Sequence, residues 1–161
     1  MRIVSILENQ LIEKRIAITP EIAKKYIALG FEISLIEKYG EHLGFKDNEY
    51  KELGVEISTN ETEILSKADI ITQLSLLSDE NLSNLKKNQT LIGVFNPYVN
   101  KEKIEKISKK NVNFFSLEML PRITRAQSMD ILSSQANLAG YKAVIESFAN
   151  FEKAIPMMMT A

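Results

Sequence analysis

The sequence predicts a doubly wound α/β domain, in which helices cover both faces of a mostly parallel sheet. Six short runs rich in Ile, Val, Leu and Phe recur along the chain, and most of them are nearly continuous rather than alternating. Continuous apolar runs of this kind are typical of strands that are buried on both faces. The runs are RIVSIL (2–7), FEISLI (31–36), VEI (55–57), DIITQL (69–74), TLIGVF (90–95) and NFFSL (113–117).

Segments with helical end signals separate these runs. In TPEIAKKYIALG, Thr19 can cap the N-terminus, Pro20 suits the first helical position, and Gly30 suits the C-terminal cap. Three further segments begin like helices, and the last two are expected to place lysines in their final turn, where positive charge complements the helix dipole. They are DNEYKELG (47–54), SDENLSNLKKN (78–88) and NKEKIEKISKKN (100–111). Alternating strands and helices predict a flavodoxin- or Rossmann-like domain with right-handed crossovers.

The pattern changes at about Ala126. Apolar residues then recur every three or four positions until about Phe151, which predicts one long helix with a single apolar face. At about 25 residues this helix would be roughly 38 Å long, and Gly140 in its interior would be tolerated where another backbone approaches closely. The predicted face comprises Met129, Leu132, Ala136, Ala139, Ala143, Ile145 and Phe148.

This change of pattern indicates two regions. We expect an N-terminal α/β domain over residues 1–125, and over residues 126–161 the long helix and the start of a linker to a missing domain. Met157 to Met159, in the tail IPMMMTA, are expected to pack on that missing neighbour.

Composition excludes several classes of function. Twenty basic and twenty-one acidic side chains give a net charge of -1, which offers no electrostatic case for nucleic acid or an anionic membrane surface. The chain has no cysteine, so it lacks disulfides and thiolate chemistry, and a reducing cytoplasm suits it best. No apolar run approaches the roughly 20 residues that span a bilayer, so we expect no direct membrane insertion.

Individual polar residues elsewhere suggest little chemistry. His42, the only histidine, lies in the glycine-flanked turn YGEHLGF and is expected to be a solvated turn residue. Without cysteine or a second histidine we expect no metal site, and the glycines form no phosphate-binding loop. Arg15, in the loop after the first strand, either pairs with Glu13 or meets a ligand at the edge where α/β proteins bind them.

The segment PRITRAQSMDILSSQAN (121–137) carries the strongest candidate site. A polar helix start accounts for some of it, with Thr124 or Ser128 as the cap and Asp130 in the first turn. It does not account for Arg122, Gln127 and Ser133. A carboxamide-bearing ring needs one donor and one acceptor, which Arg and Ser supply, and Asp130 is expected to hold Arg122 through a charge-assisted bond.

The chain resembles the N-terminal region of the alpha subunit of proton-translocating nicotinamide nucleotide transhydrogenase, a relative of alanine dehydrogenase and the lysine-forming saccharopine dehydrogenases. The resemblance covers residues 1–161. It rests on RIVSILEN, KRIAITP, LGFEISLIEKYG, LGVEI and ADII, and above all on PRITRAQSMDILSSQANLAGYKAVIE.

The resemblance implies catalytic roles for Arg122, Gln127 and Asp130. Arg122 and Ser133 would hold the nicotinamide end of NAD(H), Gln127 would reach toward NADP(H) presented by a partner domain, and Asp130 would orient the loop. It also implies a homodimer, a missing glycine-rich NAD-binding domain after residue 161, and an NADP(H)-binding component. Membrane proton-channel subunits would hold the assembly at the cytoplasmic side of the inner membrane, and the isolated fragment would be inactive.

Two departures separate the chain from the alanine dehydrogenase-like relatives. Those relatives use a lysine after the fourth strand and a histidine after the fifth to bind and polarise a 2-oxo acid. Here ADIITQL places Gln73 at the first position, where transhydrogenases also commonly keep the lysine, and GVFNPYVN has no histidine. Amino-acid oxidation needs proton transfer, whereas hydride exchange between two nicotinamide rings needs close, face-to-face positioning.

Two alternatives stay open at this point. The first is an alanine dehydrogenase-like amino-acid dehydrogenase. The second is a non-catalytic flavodoxin-like module such as a signalling receiver, although GVEISTN lacks the acceptor aspartate that a receiver needs at the end of its third strand.

Overall fold

The computed structural model describes residues 1–153, so the expectation for Met157 to Met159 lies outside the described residues. The chain divides into two compact units, one over residues 1–119 and one from residue 120 onward.

The first unit contains a six-stranded, all-parallel sheet with the order β3-β2-β1-β4-β5-β6. All six predicted strands are present, and the doubly wound prediction is confirmed. The strand order reverses between β1 and β4, so the loops that follow these two strands flank a crevice at the carboxyl edge of the sheet. The strands are β1 (Arg2–Ser5), β2 (Glu32–Ile36), β3 (Glu56–Ser58), β4 (Ile70–Gln73), β5 (Thr90–Gly93) and β6 (Asn113–Ser116).

Five helices connect the strands. Thr19 caps α1 by accepting the Ile22 N–H, and Gly30 follows with a φ of +87°, as the end signals predict. The helices are α1 (Pro20–Ala28), α2 (Asp47–Glu52), α3 (Glu61–Lys67), α4 (Asp79–Ser83) and α5 (Lys101–Ser108).

Two helix predictions need correction. The sequence-based prediction omitted α3, although Asn60 caps it by accepting the Glu63 N–H. The predicted lysines of α4 are not in its last turn, because the helix ends at Ser83 and Lys86 and Lys87 follow outside it.

The core of the first unit is formed by the strands and the inner faces of the helices. Val4, Leu35, Ile71 and Leu91 come from four different strands and have no exposed surface. Continuous apolar runs therefore occupy the centre of the sheet, which is the arrangement that burial on both faces requires.

The second unit begins differently from the prediction. Residues Thr124–Met129 form a 3₁₀ helix, and the long helix α6 spans Ile131–Ala149, which is 19 residues rather than about 25. The two helices are separate because Asp130 has an extended conformation (φ -74°, ψ 93°). The expected start at Ala126 is wrong for this reason.

The predicted single apolar face of α6 is also wrong. At 3.6 residues per turn, Ile145 and Phe148 lie roughly opposite Ala136 and Ala143. One side of α6 carries large apolar residues, the other carries small ones, and its large apolar side chains are 42–69% exposed. No described atom lies within 4 Å of where a Cβ on Gly140 would stand. Among the described residues, no helix is long and apolar enough to cross a membrane.

Candidate functional site

The candidate site is built around the residue that begins α6. Asp130 is the N-cap, and its Oδ1 accepts the Ser133 backbone N–H at 3.0 Å. An aspartate at this position satisfies one of the unpaired N–H groups of the first helical turn. Neither Thr124 nor Ser128, which the sequence offered as caps, has this role.

Asp130 also fixes the side chain of Ser133. The Ser133 hydroxyl donates to Asp130 Oδ2 at 2.7 Å. This hydrogen bond, followed by the one from the Ser133 backbone and a smaller electrostatic contribution from Arg122, lowers the pKa of Asp130. Because Ser133 donates its only hydroxyl proton to Asp130, its oxygen faces other groups as a hydrogen-bond acceptor.

All four predicted site residues line one cleft. A cavity of about 280 Å³ is bordered by residues of the 3₁₀ helix, the segment before it and the first turn of α6. Among them are Arg122, Gln127, Asp130 and Ser133. The arrangement thus combines a guanidinium donor, an amide and a hydroxyl acceptor along one cleft.

One predicted contact is absent. Asp130 was expected to hold Arg122 through a charge-assisted bond, but among the described residues no hydrogen bond or ion pair joins the two side chains. The Asp130 carboxylate is instead occupied by Ser133. Arg122 is exposed, so its guanidinium can turn toward a ligand.

A second cavity of about 410 Å³ adjoins the first in sequence and shares three of its residues. Gln127, Asp130 and Ser133 line both, and Ser134 and Asn137 extend the polar lining along α6. Gln127 therefore has open space on two sides.

The two candidate residues of the first unit are engaged within that unit. Arg15 forms a bidentate ion pair with Glu13, at 2.9 Å from Nε to Oε1 and 2.6 Å from Nη2 to Oε2. His42 Nε2 lies 2.7 Å from the Lys14 carbonyl oxygen, so it must donate there, and Nδ1 lies 3.1 Å from Gln10 Nε2. His42 therefore ties down the loop after β1 and is more than a solvated turn residue.

A buried polar group at the crevice between β1 and β4 was not predicted. Gln73, at the end of β4, and Glu8, after β1, are 3% and 7% exposed and hydrogen-bonded to each other. The signal was the polar Gln73 at the end of an apolar run, but its partners lie 65 or more residues away in the chain. Among the described residues, no group of three or more His, Asp or Glu side chains could hold a metal ion.

The strand order and the polar cleft define a class: an α/β domain of the doubly wound, Rossmann type, joined to a helical unit that carries a hydrogen-bonding site. Residues 6–139 match the family described as alanine dehydrogenase/PNT, N-terminal domain, and the chain belongs to that family.

Relatives of the chain are transhydrogenases and, more distantly, alanine dehydrogenases. It is 44% identical over its whole length to the first portion of NAD(P) transhydrogenase subunit alpha from Rickettsia prowazekii, covering 43% of that protein. The crystal structure of transhydrogenase from Sinorhizobium meliloti matches with a TM-score of 0.85 and 37% identity, over 98% of this chain and 48% of that one. Alanine dehydrogenase 1 of Staphylococcus aureus is 27% identical over 83% of the chain and 34% of its own length. The chain thus spans less than half the length of these relatives.

Proposed function

We propose that the chain is the N-terminal region of the NAD(H)-binding component of a proton-translocating transhydrogenase, which transfers hydride between NADH and NADP⁺. The observation that carries the proposal is the cleft where Arg122, Gln127, Asp130 and Ser133 meet at the start of α6. The likeness to transhydrogenase alpha subunits supports it.

The donors and acceptors of the cleft fit a nicotinamide carboxamide. Arg122 supplies N–H donors for the carboxamide oxygen. The Ser133 oxygen, whose proton is held by Asp130, accepts from the carboxamide NH₂ group. Asp130 is thus the residue that sets the polarity of Ser133. Gln127, which offers both a donor and an acceptor, faces the second nucleotide.

This set of side chains suits hydride exchange better than amino-acid oxidation. When bound, NAD(H) supplies the ring that carries the hydride, and the protein has to bind and orient it. Oxidation of an amino acid also requires an acid or base at the substrate. In the cleft, the one side chain that titrates below pH 8 is Asp130, and its carboxylate is committed to Ser133.

The proposal requires partners. The relatives are about twice as long as the chain, and we propose that their remaining portion supplies the glycine-rich NAD-binding domain and covers the exposed apolar side of α6. A separate component presents NADP(H), membrane subunits move protons, and the assembly is a homodimer on the cytoplasmic side of the membrane.

The test uses the protein joined to the remaining portion found in its relatives and combined with the NADP(H)-binding component. Hydride transfer from NADH to thionicotinamide-NADP⁺ is followed by absorbance. Arg122→Ala should lower kcat/KM about 10- to 100-fold, because a hydrogen bond from a charged group is lost. Arg125→Ala, on the same 3₁₀ helix but outside the cleft, is the matched control and should leave the rate unchanged.

Asp130→Asn examines the polarity argument. Its amide oxygen can still accept the Ser133 N–H and cap α6, but its NH₂ group then donates to the Ser133 hydroxyl and frees the serine proton. Ser133 changes from acceptor to donor, so NADH binding should weaken about tenfold while the helical circular dichroism stays the same. Unchanged transfer in both Arg122→Ala and Asp130→Asn would refute the assigned roles. Turnover of pyruvate, ammonium and NADH would instead favour the amino-acid dehydrogenase.

A further inference from the structure

The crevice between β1 and β4 contains a buried carboxylate that the proposed function does not use. Glu8 is 7% exposed. Its Oε1 accepts from Gln73 Nε2 at 3.3 Å, from the Leu74 N–H at 2.6 Å and from the Ser75 N–H at 3.4 Å. Its Oε2 accepts from the Ser75 hydroxyl. Every contact has Glu8 as the acceptor, which is the pattern that an ionised carboxylate needs.

Gln73 satisfies opposite requirements at its two ends. Its Oε1 accepts the Ile6 N–H at 2.9 Å and the Ser5 hydroxyl at 2.8 Å, while its Nε2 donates to Glu8. Only a carboxamide can accept at one atom and donate at the other in this geometry. A lysine here would leave the Ile6 N–H without an acceptor, and a glutamate would face Glu8 with like charge.

The crevice above Glu8 is accessible and acidic. A cavity of about 490 Å³ opens there, and its described lining includes Glu8 and Glu61 but no Lys, Arg or His. Arg15, whose charge interacts with Glu8, forms its bidentate pair with Glu13. Tyr39 also interacts with Glu8 electrostatically, but it remains uncharged at neutral pH because burial raises its pKa to about 12.

We propose that Gln73 is a positioning residue that fixes Glu8 as a permanent negative charge at the floor of this crevice, so that the crevice excludes anionic ligands such as 2-oxo acids. A second carboxylate about 4 Å from Glu8 would bind roughly a thousandfold more weakly than without that charge, at an effective dielectric constant of about 20. The inference goes beyond the proposed function, because it concerns a site in the first unit and does not depend on hydride transfer.

The positioning role is tested by exchanging the two side chains in the 161-residue chain. Gln73→Glu places two carboxylates together, and they can share a proton only at low pH. Its unfolding midpoint should therefore fall by roughly 10 °C more at pH 8 than at pH 5. Glu8→Gln should change the midpoint by only about 3 °C or less, since an amide can accept the same N–H groups. The double variant Glu8→Gln/Gln73→Glu restores one carboxylate and one amide and should recover most of the loss.

Gln73→Met serves as the matched control, because it removes the hydrogen bonds without adding charge. Its loss of stability should be the same at pH 5 and pH 8. A pH-independent loss in Gln73→Glu, or no recovery in the double variant, would overturn the positioning role.

The exclusion of anions is tested by adding pyruvate to the ¹⁵N-labelled chain at pH 7. The wild-type amide signals of Leu74 and Ser75 should not move in a saturable way, whereas Glu8→Gln should bind pyruvate at least tenfold more tightly. Saturable binding to the wild type, or equally absent binding in both proteins, would overturn the proposal. Neither result bears on hydride transfer, so failure here and failure of the proposed function are distinguishable.

Discussion

Replacement of Tyr39 by phenylalanine should release the loop that follows β1. The Tyr39 side chain has no exposed surface, and its hydroxyl accepts the N–H groups of Ala17 at 3.0 Å and Ile18 at 3.2 Å. It therefore has its own proton to donate to the Ser5 hydroxyl, 2.8 Å away. Tyr39→Phe keeps the ring but removes both the acceptor and the donor.

The expected loss of stability follows from these contacts. Ile18 is fully buried, so its N–H would remain unpaired, at a cost of about 1–3 kcal/mol. With the smaller contributions of Ala17, which is half-buried, and of Ser5, the free energy of unfolding should fall by about 3 kcal/mol at pH 7. Tyr50→Phe is the matched control: it loses one hydrogen bond, to the Ile18 carbonyl oxygen at 3.0 Å, and should lose about 1 kcal/mol.

Alkaline pH should remove this difference. Burial raises the pKa of Tyr39 to about 12, against the lowering effect of its hydrogen bonds. A pKa raised above its unfolded value of about 10 adds stability that is present below pH 10 and is lost as pH rises toward 12. Two pKa units correspond to about 3 kcal/mol, so the wild type and Tyr39→Phe should converge near pH 12. Urea denaturation between pH 7 and 12 measures both effects. A loss below about 1 kcal/mol at pH 7, or a difference independent of pH, would refute this reasoning.

Three other predictions concern separate regions of the chain. Gly93→Ala should lower the free energy of unfolding by about 3 kcal/mol or prevent folding, because an added Cβ would lie 1.9 Å from the Gln73 carbonyl oxygen; a urea midpoint equal to that of the wild type would contradict this. The chain alone should bind NADH too weakly for calorimetry to detect at micromolar concentrations, and a micromolar Kd would argue against a missing nucleotide-binding domain. Phe148→Ser should reduce the fluorescence of a bound apolar dye, since Phe148 is 54% exposed on α6, whereas Ser147→Ala, on the opposite side, should not.

The strands of the fold were predictable because their signal is local. A strand buried on both faces is apolar throughout, and each of the six runs contains such a segment. The helix α3 was missed because its seven residues include only two buried ones, Ile64 and Leu65, which is too few to produce a visible periodicity. The start of α6 was misplaced because the apolar spacing continues through the 3₁₀ helix, while the break depends on the backbone of Asp130.

The candidate site was predictable in composition but not in its contacts. The residue types in the segment 121–137 indicated a cluster, and the structure brings Arg122, Gln127, Asp130 and Ser133 to one cleft. The choice of Ser133 over Arg122 as partner of Asp130 depends on the cap geometry, which sequence spacing does not specify. Gln73 could not be interpreted from sequence, because its hydrogen-bond partners come from a strand and loop far away in the chain.

The central position of β1 has a consequence for folding during synthesis. Its four residues leave the ribosome early, yet they pair with β2 on one side and with β4 on the other, and β4 begins at Ile70. Until then, one edge of this strand has unpaired backbone groups and can join the wrong neighbour. A nascent chain arrested before β4 should thus be more prone to aggregate than one arrested after it.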